Sequence, residues 1–228
     1  MDIMSLINAL PGAAAQGLIW GIMAIGVYLT FRILDVADLT VDGTMCTGGA
    51  VCIMMLMSGQ NIWVSMLAAT GAGMLAGLAT GIFHTVMGIP AILAGILTQL
   101  GLYSVNLKIM GKANQAVNSS KYDLLVSLRN IKDVPFYQNT ILIVAVFIVI
   151  LIAVLYWFFG TEIGCSLRAT GCNPNMSRAQ GINTDFAKVL GLMISNGLVA
   201  LSSAFLAQYQ GFAAVSYTHL TLPTTPYV

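Results

Sequence analysis

Charge is what this 228-residue chain has least of: Asp, Glu, Lys and Arg together supply 7% of it, where an ordinary soluble domain carries roughly 25%. With 58% hydrophobic residues, no soluble fold of this size could hide so much apolar surface, and lipid must be the solvent for most of it. Nine basic and eight acidic residues leave a net charge of +1, which offers no electrostatic footprint for nucleic acid. Histidine is almost missing, at two residues. The four cysteines, Cys46, Cys52, Cys165 and Cys172, are not spaced with histidines as metal ligands are, and read as small packing residues. No metal or cofactor is expected. No G-x-x-x-x-G-K-[ST] phosphate loop occurs, so the chain is not expected to hydrolyse ATP itself. The N-terminus has neither a basic region nor a small-residue cleavage site, and no removable signal peptide is expected.

What is present is a series of long apolar runs. A spanning helix needs about 20 mostly apolar residues. Ala13–Leu34, Ile62–Phe83, Pro90–Leu107, Thr140–Phe159 and Phe186–Leu206 qualify, with Arg32 able to snorkel at the end of the first. Gly43–Met57 adds a short or broken crossing. The reading is an all-α, polytopic helix bundle of about six spans. Gly73, Gly77 and Gly81 recur every fourth residue and make a flat stripe for close helix packing, as do Gly17 and Gly21.

Three polar places interrupt the apolar runs. In "LRATGCNPNMSRAQGIN", Leu167–Asn183, Gly171 would close a short helix beginning near Glu162. Asn173 suits an N-cap, Pro174 the first helical position and Gly181 the stop. A helix of about two turns, Pro174–Gln180, is unstable alone and needs a surface to dock on; the plainer reading is an ordinary connector. The second place, "DVADLTVDG", puts Asp35, Asp38, Thr40, Asp42 and Gly43 between two spans. Surface acids with Asp42 capping a helix that starts at Gly43 is the expectation, its oxygens near the Thr44 or Met45 N–H. A broken helix lining a solute path is the second reading. A Mg²⁺ site of an intramembrane transferase is the third, but it needs a second acidic cluster, which the chain lacks. The last place is near the end, where Ser202, Ser203, Gln208 and Gln210 could bond across helices or face a solute. His84 reads as a boundary residue.

The string Arg168-Ala169-Thr170-Gly171-Cys172-Asn173-Pro174, followed by Ala179, Gly181 and Ile182, resembles the cytoplasmic loop of ABC-importer permeases in the branched-chain amino-acid and monosaccharide superfamily. "FRILDVADLTVDG" and "SNGLVALSSAFLAQYQGF" are similar to a bacterial branch that works with a lipoprotein binding protein and takes up tryptophan or related small solutes. The resemblance covers Met1 to about Ala214, in family order. It implies a multi-pass subunit of the bacterial inner membrane that forms the translocation path. It also implies a second permease subunit, as a homodimer, and a separate ATP-binding subunit that hydrolyses ATP. Arg168, Gly171, Asn173, Pro174, Arg178 and Gly181 would then belong to the coupling loop. Cys172 departs from the family, which has a larger polar or acidic residue there. An ion-coupled secondary transporter is the alternative, and acids buried inside the bundle would favour it.

Two expectations concern the ends. "SYTHLTLPTTPYV", Ser216–Val228, has no helical or strand period and resembles translated sequencing-adapter read-through. The permease domain is therefore read as 1–215, with further spans expected in the natural chain. Gly160–Thr184 and Arg32 fall on one side of the membrane, and Gly111–Gln138, with Lys112, Lys121, Arg129 and Lys132, on the other. Basic-residue counts weakly favour the second side as cytoplasmic, and the loop resemblance favours the first.

Overall fold

The computed structural model describes residues 3–117 and 140–215. Ser216–Val228 and the basic residues Lys121, Arg129 and Lys132 lie outside the described residues. The chain folds into eight helices over those residues: α1 (Ile3–Tyr28), α2 (Val41–Met57), α3 (Ile62–Thr85), α4 (Ala91–Met110), α5 (Thr140–Gly160), α6 (Glu162–Cys172), α7 (Pro174–Ala179) and α8 (Thr184–Gln210). Five of these stretches are long and apolar enough to cross a membrane, and α2 is a shorter apolar helix. At 1.5 Å per residue α2 reaches about 25 Å, short of a hydrocarbon core of about 30 Å. The expected count of five full spans and one short one holds.

Burial ranks the helices by position. In its most apolar window α8 is 72% buried, whereas α5 is 11% buried and turns nearly everything it has to the outside. The central helix is therefore α8, with α1, α2, α3 and α6 packed around it. Glycines decide how close they come. A Cβ added to Gly77 would meet the Leu192 and Met193 backbone, one at Gly73 the Asn196 backbone, and one at Gly48 the Ala200 backbone. Gly81 meets Val189. The stripe read from sequence is thus the α3–α8 seam. Gly17 and Gly21 differ: nothing in the structure lies within 4 Å of an added Cβ at either. On α1 the close approach comes instead at Gly26, against the Ser195 carbonyl.

The apolar core runs between α1, α2 and α8 through Ile19, Ile22, Met45, Val199 and Phe205, with Phe147 of α5 set edge-on to Phe205 at 5.0 Å. Where α4 and α8 end, at the left-handed glycines Gly111 and Gly211, two short strands appear that the sequence did not announce. β1 (Asn114–Ala116) and β2 (Phe212–Ala214) pair antiparallel, with Gln115 opposite Ala213. This small clasp sits at the end of α8 away from α6 and α7.

Between α1 and α2 the chain does not make a simple turn. After Tyr28 the helix widens into a π-helical turn, Leu29–Ile33, in which the Leu34 N–H donates to the Leu29 carbonyl (3.0 Å). Residues 34–40 are not helical, and Asp35 takes a left-handed backbone with φ 54°. Leu34 touches Gly191 near the start of α8, whereas Asp38 reaches Asn196 further along it. Asn196 lies twelve residues past Thr184, about 18 Å along the helix axis. The irregular segment therefore passes into the bundle, and α2 begins inside it.

Candidate functional site

The polar side chains gather where α2 begins. Asp38 is 2% exposed, and both its oxygens are engaged. Its Oδ1 accepts the Thr40 N–H (2.8 Å) and its Oδ2 accepts from Asn196 Nδ2 (2.7 Å). The same Asn196 amide donates to the Leu192 carbonyl, and its Oδ1 accepts from Thr44 Oγ1 at 2.7 Å. A buried polar network keeps its members only when each is satisfied, and this one is. Beside it runs a chain of hydroxyls joining three elements. Thr98 donates to the Ala94 carbonyl (3.0 Å), Thr80 to Thr98 (3.0 Å), and Thr40 and Thr80 lie 2.7 Å apart. A Cβ on Gly95 would meet the Leu39 and Thr40 amide nitrogens, so α4 also lies directly against the break.

Asp42 corrects the expectation made for it. The N-cap of α2 is Thr40, and Asp42 stands inside the first turn with no bond to the Thr44 or Met45 N–H. The Thr44 N–H instead donates to the Thr40 carbonyl, and Asp38 holds the turn that precedes the helix. Asp42 is 8% exposed, its Oδ2 accepts from Gln99 Nε2 of α4 (2.7 Å), and its Oδ1 is buried without a partner. Asp38 and Asp42 are thus interior acids, and of the three only Asp35 is exposed. The spacing of three and four residues misled because the chain is not one helix there. Among the described residues no group of three or more His, Cys, Asp or Glu could hold a metal ion.

A cleft of about 420 Å³ opens beside Asp42, walled by Met23 and Val27 of α1, by Phe31 of the π-helical turn, by Asp38 and Leu39 of the break, by Val41 at the start of α2, and by Gln99. Asn196, Gln99, Thr80 and Thr98 were missed in the sequence. Each stands alone or beside one other polar residue, Thr98 with Gln99 and Asn196 with Ser195, within an apolar run, and that is the signal that could have found them: an amide or hydroxyl in a span needs a partner. Ser202, Ser203 and Gln208 do bond across helices. Ser202 Oγ donates to the Ile19 carbonyl (2.8 Å), Ser203 Oγ to the Met45 carbonyl, and Gln208 Nε2 to Cys52 Sγ (3.5 Å). Gln208 Oε1 and Gln210 Oε1 stay unpartnered. His84 Nδ1 lies 2.9 Å from the Ile89 carbonyl, tying the turn after α3.

At the end of the bundle where the break enters lies the polar loop. Asn173 caps α7, its side chain accepting the Met176 N–H (3.1 Å), with Pro174 at the first position and Gly181 left-handed at φ 83°. Except for Ser177, which is buried, α7 keeps most of its surface open. Gly171 does not end α6, which is capped at its start by Thr161 and runs on to Cys172. Its lack of a side chain serves contact instead: an added Cβ would come 2.9 Å from the Ile33 carbonyl carbon and 3.1 Å from Leu34 Cα. The loop thus rests on the first residues of the break. Arg168 donates to the Phe159 carbonyl (2.9 Å) at the end of α5. Arg178 donates to Thr184 Oγ1 (2.6 Å) and pairs with Asp185 at 2.9 Å, the two side chains 56% and 55% exposed.

Known proteins of similar sequence give this arrangement a context. A tyrosine transport system permease protein of Clostridioides difficile is 41% identical over 88% of this chain, which spans 65% of that relative's length. An uncharacterized protein of Rickettsia prowazekii is 33% identical, over 92% of this chain and 71% of its own. A galactofuranose transporter permease protein of Escherichia coli is 26% identical, over 82% of this chain and 52% of its own. No solved structure matches significantly. Residues 10–227 match the family model described as branched-chain amino acid transport system, permease component. With five apolar stretches long enough to cross a membrane, the chain is a multi-pass membrane protein, and it belongs to that permease family.

Proposed function

We propose that this chain is the transmembrane subunit of a bacterial ABC importer of the inner membrane, forming the path for a small solute while a separate ATP-binding subunit hydrolyses ATP. A second copy of the permease and a lipoprotein binding protein complete the machine on this reading. The observation that carries it is the α6–α7 loop within the permease family: a capped helix of six residues, open on its outer side, resting through Gly171 on the break. Such a helix has too few residues to persist alone, and its exposed face suits a partner surface. The tyrosine permease among the relatives favours an amino acid as the solute.

Two variants test the loop as the ATPase contact. Arg178→Ala removes a cation from the exposed face and breaks the pair with Asp185, whereas Asp185→Asn breaks the same pair and leaves Arg178 in place. An exposed pair of this kind contributes about 0–1 kcal/mol to stability, so neither variant should unfold the protein. In proteoliposomes carrying the full-length permease and its ATP-binding subunit, Arg178→Ala should cut solute-stimulated ATP hydrolysis about tenfold, with Asp185→Asn near wild type. Equal activities in both variants and wild type would remove Arg178 from the contact.

The buried acids favour a second reading. Asp38 and Asp42 lie inside the bundle, where an ion-coupled transporter keeps its titrating groups. Uptake that persists without the ATP-binding subunit and collapses with a protonophore would decide for that reading.

A further inference from the structure

The least buried of the spanning helices, α5, leaves a groove that the importer reading does not use. Between α5 and α8 lies a cleft of about 360 Å³, walled by Phe147, Ile150, Val154 and Phe158 of α5 and by Ile194 and Leu198 of α8. Its other residues are also large and apolar, and the Trp157 N–H is the single polar side-chain group among them. From Phe147 to Phe158 the groove follows α5 for about 16 Å along the helix axis. That is the depth of one leaflet of a hydrocarbon core about 30 Å thick. Tyr156 and Trp157, 84% and 72% exposed, mark the headgroup level at the loop end of α5.

Arg168 lies at that same end. Its Nη2 donates to the Phe159 carbonyl (2.9 Å) and to Cys165 Sγ (3.4 Å), and among the described residues Nε and Nη1 make no bond. Nor does Arg168 pair with a carboxylate among them. The last carbonyls of a helix point along its axis, so the guanidinium sits over the end of α5, next to Phe158. Its neighbour Leu167 reaches the other wall: a Cβ on Gly191 would lie 3.3 Å from Leu167 Cδ1, about one turn before Ile194. Arg168 therefore stands where both walls of the groove come to the headgroup level.

We propose that the groove holds one acyl chain of an anionic phospholipid whose phosphate is bound by Arg168. The composition of the wall selects the occupant. Helices of a membrane bundle pack on one another through small residues, and no Gly, Ala, Ser or Thr lines this groove. The groove between α3 and α4 differs, with Ala72, Ala76, Ala79 and Gly101 in its wall. Between the large side chains of α5 and α8 a flexible methylene chain can settle where a rigid helix cannot. The cation then fixes the headgroup. Nε and Nη1 are left to donate to phosphate oxygens, and the planar fork of arginine suits that geometry. A zwitterionic headgroup carries its own ammonium beside the phosphate and gains less from the same cation. The inference goes beyond the importer reading and needs only that the chain spans a membrane.

The test is native mass spectrometry of the full chain released from nanodiscs of phosphatidylglycerol and phosphatidylcholine in equal parts, both with palmitoyl and oleoyl chains. The wild type should retain one phosphatidylglycerol per chain, with a preference of about fivefold or more, the factor that one basic residue contributes at an anionic surface. Arg168→Gln should lose the preference, whereas Arg168→Lys, which keeps the charge without the fork, should keep part of it. Val154→Trp fills the groove from an exposed position on α5 and should lower the retention of both lipids severalfold. A phosphatidylglycerol with a diazirine midway along one chain should label α5 and α8 around Val154 and Ile194. Equal retention of the two lipids by the wild type, an undiminished preference in Arg168→Gln, or undiminished retention in Val154→Trp would overturn the proposal. Label confined to the α3–α4 face, or absent from α5 because a second copy covers the groove, would overturn it as well. If Arg168→Gln fails to fold, Val154→Trp and the label decide alone.

Discussion

Replacing Gly77 by alanine adds one methyl group at the tightest part of the α3–α8 seam, and its cost can be worked from the geometry. The new Cβ would lie 2.8 Å from the Leu192 carbonyl carbon and 2.9 Å from Met193 Cα, with the Leu192 oxygen nearer still. All three are backbone atoms, so no rotamer change can make room. Carbon atoms rest about 3.5–4.0 Å apart, and the helices must therefore separate by about 1 Å. A radial gap of that size forfeits roughly a quarter to a half of each dispersion contact along the seam, and overpacking of this kind costs about 1–3 kcal/mol. Alanine's better helix propensity offsets up to about 1 kcal/mol. Gly71 supplies the control, because it lies in the same helix and an added Cβ there meets nothing within 4 Å. The difference between Gly77→Ala and Gly71→Ala cancels the propensity contribution and should be about 1–3 kcal/mol. Reversible denaturant unfolding in mixed micelles measures it, with Gly71→Ala at or above wild-type stability. If Gly77→Ala proves as stable as Gly71→Ala, the seam is not as close as described and the packing argument fails.

Two further outcomes are expected. Asp38→Ala leaves the Thr40 N–H and one N–H of the Asn196 amide without an acceptor, which should destabilise the protein by about 2–6 kcal/mol in the same unfolding assay, at about 1–3 kcal/mol per orphaned group. Asn173→Ala removes the cap bond to the Met176 N–H; it should cost about 1 kcal/mol locally and speed hydrogen exchange at that amide severalfold with the global midpoint unchanged.

Helix existence was legible in the sequence because apolar runs of spanning length leave little choice in lipid. The α7 cap was legible because Asn, Pro and Gly each act on the backbone locally: Asn173 caps, Pro174 begins the helix and Gly181 takes φ 83°. The break was legible only as one of three options. Nothing local in Asp-Val-Ala-Asp-Leu-Thr-Val-Asp-Gly says whether it lies at a surface or inside, since that depends on Asn196, which follows Asp38 by 158 positions in the chain. The glycine pairs show the same limit. Gly73 and Gly77 face a helix, while Gly17 and Gly21 have the same spacing and face open space. Spacing defines a flat stripe, but the partner comes from the fold.

Packing and polarity turn out to be one requirement at the centre of this bundle. Non-helical backbone at membrane depth persists only where protein groups satisfy it; here the Thr40 N–H donates to Asp38 and the Val36 N–H to the Thr30 carbonyl, and the Asp38 and Thr40 side chains are held in turn from α8 by Asn196 and from α3 by Thr80, with Thr98 of α4 behind it. They reach the break only because glycine lets those helices come near: Gly95 beneath Leu39 and Thr40, Gly73 beside Asn196, Gly48 beside Ala200. A helix pushed outward at Gly73 would carry Asn196 with it and lengthen the 2.7 Å bond to Asp38. The same segment is held from the other end, where Gly171 of α6 abuts Ile33 and Leu34. A displacement of the α6–α7 loop therefore bears on Ile33 and Leu34, nine and eight residues before Asp42. On the importer reading, a push from an ATP-binding partner has a short mechanical route to the cleft. A continuous helix would resist such a push along its whole length, whereas the irregular 34–40 segment can yield by rotating a few backbone dihedrals, as hinges do. Asp38 sits on that segment and Asp42 just beyond it, in the first turn of α2.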